Sequence, residues 1–243
     1  MDRLSSERYI TAFSKNAAPV LRVSDGATVC IATKDCYMDN LRAENDPRGA
    51  AKGPAIGCNP ASGPIFVEGA QPGDTLKCEI LAIDVGEYAS MRISNRGGLM
   101  ADRVTAPIVR CIPLRDGCAE LAGVRMPLDP MIGVIGVAPE GGDVDTESPG
   151  AHGGNMDTRH IRAGSTLYLP VAAEGALFAL GLWVAVAFTR AIMVYSVPGL
   201  KLVKWQLSCQ FVPLSLEYSH LLFSVTLMSV PVLVTSSMTG MSP

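Results

Sequence analysis

Pro72-Gly73-Asp74-Thr75-Leu76-Lys77-Cys78-Glu79-Ile80-Leu81-Ala82-Ile83-Asp84-Val85 is the stretch that decides the fold. A Pro-Gly-Asp turn signal leads straight into a run of aliphatic and β-branched residues, which is how a chain enters a strand. The same pattern recurs in both directions. Val20-Leu21-Arg22-Val23 and residues 27–33 have strand character upstream; residues 108–113, 131–137 and 165–169 have it downstream. Ala163-Gly164 marks the turn into the last of these. Many short strands with frequent turns imply a mainly β protein, a β sandwich or a related two-sheet architecture. Residues 5–13 are the best helix candidate, and a short one.

Composition narrows the function. The chain has 243 residues, a net charge of −3 and no basic run, so nucleic-acid binding has no electrostatic support. Its seven cysteines (Cys30, Cys36, Cys58, Cys78, Cys111, Cys118 and Cys209) are scattered, odd in number and free of any CxxC pair. That suggests reduced thiols in the cytoplasm, without a disulfide framework or zinc ribbon. Residues 1–15 carry scattered charges and no apolar core, so no signal peptide is expected. Dinucleotide, P-loop, zincin and serine-hydrolase signatures are absent.

Pro149-Gly150-Ala151-His152-Gly153-Gly154-Asn155-Met156-Asp157 gathers a histidine, an amide and a carboxylate on a glycine-loosened backbone. His152 is one of only three histidines, so it does not come from a His-rich background. The segment reads equally as a tight functional loop and as a structural turn in which Asn155 and Asp157 bond their own backbone. Asp35 follows the strand over 27–33; a carboxylate there can bind a metal through oxygen or cap a surface turn. Its neighbour Cys36 is a nucleophile candidate or a small buried apolar residue. Glu140, where an apolar strand breaks into Gly141-Gly142, suits a general base or a solvated loop. His160, between Arg159 and Arg162, reads as exposed.

The chain changes character near Gly181. Residues 182–243 hold four charged residues (Arg190, Lys201, Lys204 and Glu217), two glycines, no aspartate, and both tryptophans of the chain. Their uncharged runs are broken by Arg190 and Pro231 and fall short of the ~20 apolar residues of a spanning helix. No heptad, amphipathic period or cap is visible.

Several segments together resemble the acetamidase/formamidase family. They are Thr33-Lys34-Asp35-Cys36-Tyr37, Asn59-Pro60-Ala61-Ser62-Gly63-Pro64-Ile65-Phe66-Val67-Glu68-Gly69-Ala70, and Pro72-Gly73-Asp74-Thr75-Leu76. Pro130-Met131-Ile132-Gly133-Val134-Ile135-Gly136-Val137-Ala138-Pro139-Glu140 continues the series, then the loop at 149–157. Gly164-Ser165-Thr166-Leu167-Tyr168-Leu169-Pro170-Val171 and Glu174-Gly175-Ala176-Leu177-Phe178 complete it.

The resemblance implies a cytoplasmic homo-oligomer that hydrolyses short linear amides to a carboxylate and ammonia. It implies an acetamidase/formamidase-like β sandwich with a smaller α/β element, a small amide as substrate, and a divalent metal, zinc. A metal can polarise the amide carbonyl and lower the pKa of bound water. On that model Asp35, His152 and Asn155 belong to the metal site, and Asp157 and Glu140 carry the catalytic chemistry, with Glu140 as base. After Leu180-Gly181 the family pattern of Asp, His-Ala and Gly-Asp-Gly-Glu is missing. Residues 1–181 are therefore expected to form the family-like domain, and 182–243 an aberrant, frame-shifted hydrophobic tail that impairs activity. The alternatives are a catalytically inactive scaffold or interaction subunit, and a protein tethered to a membrane by the tail.

Overall fold

The computed structural model describes residues 1–50, 59–93, 101–186, 225–227 and 231–238. The chain opens with β1 (Asp2–Leu4), β2 (Tyr9–Ile10), β3 (Ala12–Phe13), β4 (Leu21–Val23) and β5 (Thr28–Ala32). β6 (Ala61–Val67), β7 (Thr75–Ile83), β8 (Tyr88–Ile93), β9 (Ile108–Arg115) and β10 (Cys118–Leu121) follow. Then come β11 (Val124–Gly136), β12 (Val144–Asp145), β13 (Gly153–Asn155), β14 (Thr166–Pro170) and β15 (Phe178–Val186). β16 (Val225–Leu227) and β17 (Pro231–Met238) are the last. The fold is mainly β. Two 3-10 turns, Pro47–Ala50 and Ala101–Arg103, are the only helical segments among the described residues. The smaller α/β element is not among them.

The helix expected over residues 5–13 does not form: residues 5–8 make a turn, and β2 and β3 follow within the stretch. Tyr9, Ile10, Thr11 and Phe13 are aromatic or β-branched, and such side chains fit a pleated surface better than a helix. β2 finds a ladder partner in β6, with Tyr9 opposite Ser62.

Two sheets form the sandwich. One runs β1-β5-β17-β7-β14, the other β16-β8-β9-β10-β11-β15-β6-β2, with β13 added to β11 and β4 to β6. The main hydrophobic cluster takes Val29, Ile31, Leu76, Cys78, Ile80 and Leu169 from the first sheet and Ile65, Val67, Ile132, Ile135, Phe178 and Leu180 from the second. Along β7 burial alternates from Leu76 to Ile80, as it must in a strand with one face on the core. Truncating a fully buried member such as Ile135 to alanine costs about 2–5 kcal/mol.

β11 is the spine of the larger sheet. It pairs with β10 through Val124 to Pro127 and with β15 through Leu128 to Gly136. The register shifts between Ile132 and Val134, leaving Gly133 as the extra residue. A bulge frees backbone groups for other partners, and here the Gly133 carbonyl accepts from the amides of Met156 (2.9 Å) and Asp157 (3.1 Å). The bulge thereby fixes the loop singled out in the sequence.

β15 continues past residue 181, so the expected boundary between 1–181 and 182–243 falls inside a strand. The β17 backbone lies antiparallel between β5 and β7, and β16 pairs with β8. The unpaired sides of β5 and β7 accept an extended backbone between them, because the ladder is made by peptide groups. Residues 187–224, most of the expected tail, lie outside the described residues. Among the described residues no helix is long and apolar enough to cross a membrane.

Candidate active site

The strand alternation of β5 does not stop at its end. Val29 and Ile31 face the core, and Thr33 (1 % exposed) and Asp35 (0 %) extend the same buried series. Lys34, between them, pairs with Glu7 at 2.9 Å. Asp35 then caps a turn. Its Oδ1 accepts from the amides of Tyr37 (2.8 Å) and Asp39 (2.7 Å), while Asp39 Oδ1 accepts from the Asp35 amide (3.1 Å). Met38 and Asp39 sit at φ 57° and 60°. Asp35 Oδ2 is buried without a partner among the described residues. Burial pushes this carboxyl up to about 7, against the pull of the Asp39 amide. Oδ1 therefore caps a turn that is buried, not at the surface, and Oδ2 takes no part in the cap.

His152 stands at a corner of a two-residue turn. Gly150 and Gly153 exchange both backbone hydrogen bonds, at 2.8 and 3.1 Å, with Ala151 and His152 between them. The imidazole is tucked inward (6 % exposed) and meets the Phe13 ring edge to face, 5.1 Å between centroids. Two glycines make that possible. A Cβ on Gly150 would come within 2.9 Å of Nδ1, and one on Gly154 within 3.1 Å of Nε2 and against the Ser148 carbonyl. Nε2 is buried without a partner among the described residues. Burial also holds the imidazole below its usual pKa, favouring the neutral ring that can act as a ligand.

Asn155, with its amide nitrogen assigned to face the carboxylate, donates to Asp157 Oδ1 (3.0 Å) and Oδ2 (3.3 Å). Burial raises Asp157 to about 6, and the Asn155 contact opposes that rise. Asp157 sits at φ 43°, a left-handed conformation that Asp adopts more readily than most residues.

Contacts link the two halves. Ser62 Oγ donates to the Ala32 carbonyl at 2.7 Å, just before Thr33. Its neighbour Ala61 packs in a small cluster with Phe13, Val134 and Ala179, and Phe13 carries His152. Adjacent residues of β6 thus touch the strand that leads to Thr33 and Asp35 and the Phe13 ring that packs on His152. Glu140 is exposed, Cys36 is buried and His160 is exposed. Thr33, not a candidate from the sequence, continues the buried period-2 series Val29, Ile31, Thr33, Asp35. Its Oγ1 is also buried without a partner among the described residues.

A family model described as Acetamidase/Formamidase matches residues 6–142, more than half the chain. The chain belongs to the acetamidase/formamidase family. It is similar to an acetamidase from Bacillus halodurans, at 33 % identity and a TM-score of 0.76, over 97 % of this chain and 70 % of that one. A predicted acetamidase/formamidase from Thermoanaerobacter tengcongensis gives 31 %, 0.78, 99 % and 70 %. A gamma lactamase from Delftia acidovorans shares the fold alone, at 16 % identity and a TM-score of 0.70, over 96 % of this chain and 64 % of that one. No curated protein matches. The chemistry of this family member is amide hydrolysis.

A divalent cation fits the two orphaned atoms in kind. A carboxylate oxygen and an imidazole nitrogen, both buried and without partners, are ordinary ligands for such an ion. Among the described residues no three His, Cys, Asp or Glu side chains converge on one point. A full ligand set therefore needs donors from outside them.

Proposed function

We propose that the site built around Asp35 and His152 hydrolyses short linear amides of the formamide and acetamide type to a carboxylate and ammonia. The observation that carries this reading is the pair of orphaned buried atoms, Asp35 Oδ2 and His152 Nε2, in a chain of an amide-hydrolysing family. An unpartnered buried atom of this kind costs about 1–3 kcal/mol, a cost that a bound ligand removes. Asp35, His152 and, through Asn155, the 150–157 loop would hold a divalent ion, zinc. When bound, such an ion polarises the amide carbonyl and makes water a better nucleophile near neutral pH.

The chain's own groups divide the remaining work. Gly150 and Gly154 leave room for the imidazole, and Phe13 keeps its ring in place. Asn155 orients the Asp157 carboxylate, whose raised pKa suits it to accept a proton from water near neutral pH. Of the two catalytic carboxylates expected from sequence, this reading favours Asp157 over the exposed Glu140.

Turnover is reduced in this chain. The aspartate, histidine and Gly-Asp-Gly-Glu pattern expected after Gly181 is replaced by Leu182-Trp183-Val184-Ala185, so the site has lost polar partners. The test is ammonia release from formamide and acetamide by the full chain, Asp35→Asn and His152→Ala. A slow rate that falls to the buffer level in both variants is expected. Equal rates in all three proteins contradict the site, and a wild-type rate near the enzyme median of about 10 per second contradicts the impairment.

A further inference from the structure

We propose that Thr33 is a substrate-contacting residue of the amide site, its hydroxyl forming a hydrogen bond with the carboxamide group of the bound amide. The inference rests on the amide reading above and adds a residue to it. Three observations carry it.

The first is burial without a partner. Thr33 is 1 % exposed, and its Oγ1 has no hydrogen-bond partner among the described residues. A threonine hydroxyl at the end of a strand has easy alternatives. It can bond a neighbouring carbonyl, or valine can fill the same volume with no polar atom. Here neither has happened, and an orphaned hydroxyl lowers stability.

The second is direction. Thr33 and Asp35 are two residues apart in a segment whose burial alternates from Val29 onward, so both side chains leave the backbone on the core side. Lys34 reaches Glu7 from between them. Asp35 Oδ2 is orphaned on that same side.

The third is the company. Among the described residues the buried side-chain atoms without partners are three: Thr33 Oγ1, Asp35 Oδ2 and His152 Nε2. Two of them, Thr33 Oγ1 and Asp35 Oδ2, stand two residues apart on the same side of one segment, and Ser62 Oγ ties the preceding Ala32 carbonyl to β6.

The chemistry matches a small neutral amide. A hydroxyl rotates, so it can donate to an amide oxygen or accept from an amide N–H without charge. A site that hydrogen-bonds a polar substrate rejects an analogue that leaves its own groups unpaired.

The experiment uses the full chain, Thr33→Val and Thr33→Ser, with acetamide as probe. Saturation-transfer NMR reads acetamide binding, and thermal unfolding without ligand reads stability. Thr33→Val should unfold at the wild-type temperature or above, and should weaken acetamide binding on the order of tenfold. Thr33→Ser should bind within a small factor of wild type. A Thr33→Val variant that binds acetamide normally overturns the inference and leaves the amide reading standing. So does one that unfolds well below wild type, since the hydroxyl then holds the fold. If wild type itself shows no acetamide signal, the amide reading fails and takes this inference with it.

Discussion

The amide of Asp39 donates to Asp35 Oδ1 at 2.7 Å, and the amide of Asp35 donates back to Asp39 Oδ1 at 3.1 Å. Each carboxylate caps the other's backbone, so Asp35 is held by one oxygen while the other stays free. Asp39→Ala removes one cap and places alanine at φ 60°. It should cost about 1–2 kcal/mol in urea unfolding. Asp39→Asn keeps an acceptor and tolerates the left-handed region, so it should stay close to wild type.

Two glycines of similar sequence context should respond in opposite ways. Gly154, at φ 87°, would drive a Cβ against the Ser148 carbonyl and toward His152 Nε2. Gly154→Ala should therefore lose roughly 2 kcal/mol or more. Gly141 has nothing within 4 Å of its would-be Cβ. Gly141→Ala should be neutral or slightly stabilising, as chemical denaturation of both variants will read.

Alkaline pH should loosen the core through Cys78. Burial pushes this thiol up from 9.0 to about 12. Below pH 9 the thiol is protonated in both states and contributes nothing to the slope. As pH climbs from 9 toward 12 the unfolded chain ionises first, so stability is lost across that window. Between pH 8 and 10 the wild type should lose roughly 1 kcal/mol that Cys78→Val does not lose. Urea midpoints at the two pH values measure the difference.

Ser90 anchors the segment that follows Asp35. Its buried Oγ donates to the Leu41 carbonyl at 2.6 Å, and Arg92 Nε donates to the Gly49 carbonyl at 2.6 Å. Ser90→Ala leaves the Leu41 carbonyl without that donor and should cost about 1–3 kcal/mol. Limited proteolysis should then cut within residues 36–50 faster than in wild type.

Much of the sandwich is legible in the sequence because turn chemistry and burial agree there. The run after Pro72-Gly73-Asp74 is β7 (Thr75–Ile83), and residues 27–33 contain β5 (Thr28–Ala32). The segment at 131–137 is only the end of β11, which begins at Val124. Its first half carries Arg125, Pro127, Asp129 and Pro130, which hide a strand whose outer face is wet. Residues 5–13 mislead for another reason: β2 is fixed by its partner β6, and a short window cannot show a partner.

The candidate site is half legible. Asp35 and the 149–157 loop stand out by residue type. What selects them is the pair of orphaned atoms, and that depends on tertiary burial. The glycines at 150 and 154 read as turn formers, but their structural task is to leave space around an imidazole four residues or fewer away. Thr33 is concealed because a threonine near a strand end is ordinary; only its missing partner is not.

On the function proposed above, Asp35 Oδ2 and His152 Nε2 are kept free for one divalent ion. Zinc titration of the full chain, purified in chelator and followed by a competing fluorescent indicator, tests it most directly. Weak one-to-one binding by the wild type is expected, weakened roughly tenfold or more by Asp35→Asn and likewise by His152→Ala. Unchanged zinc affinity in both variants contradicts the claim.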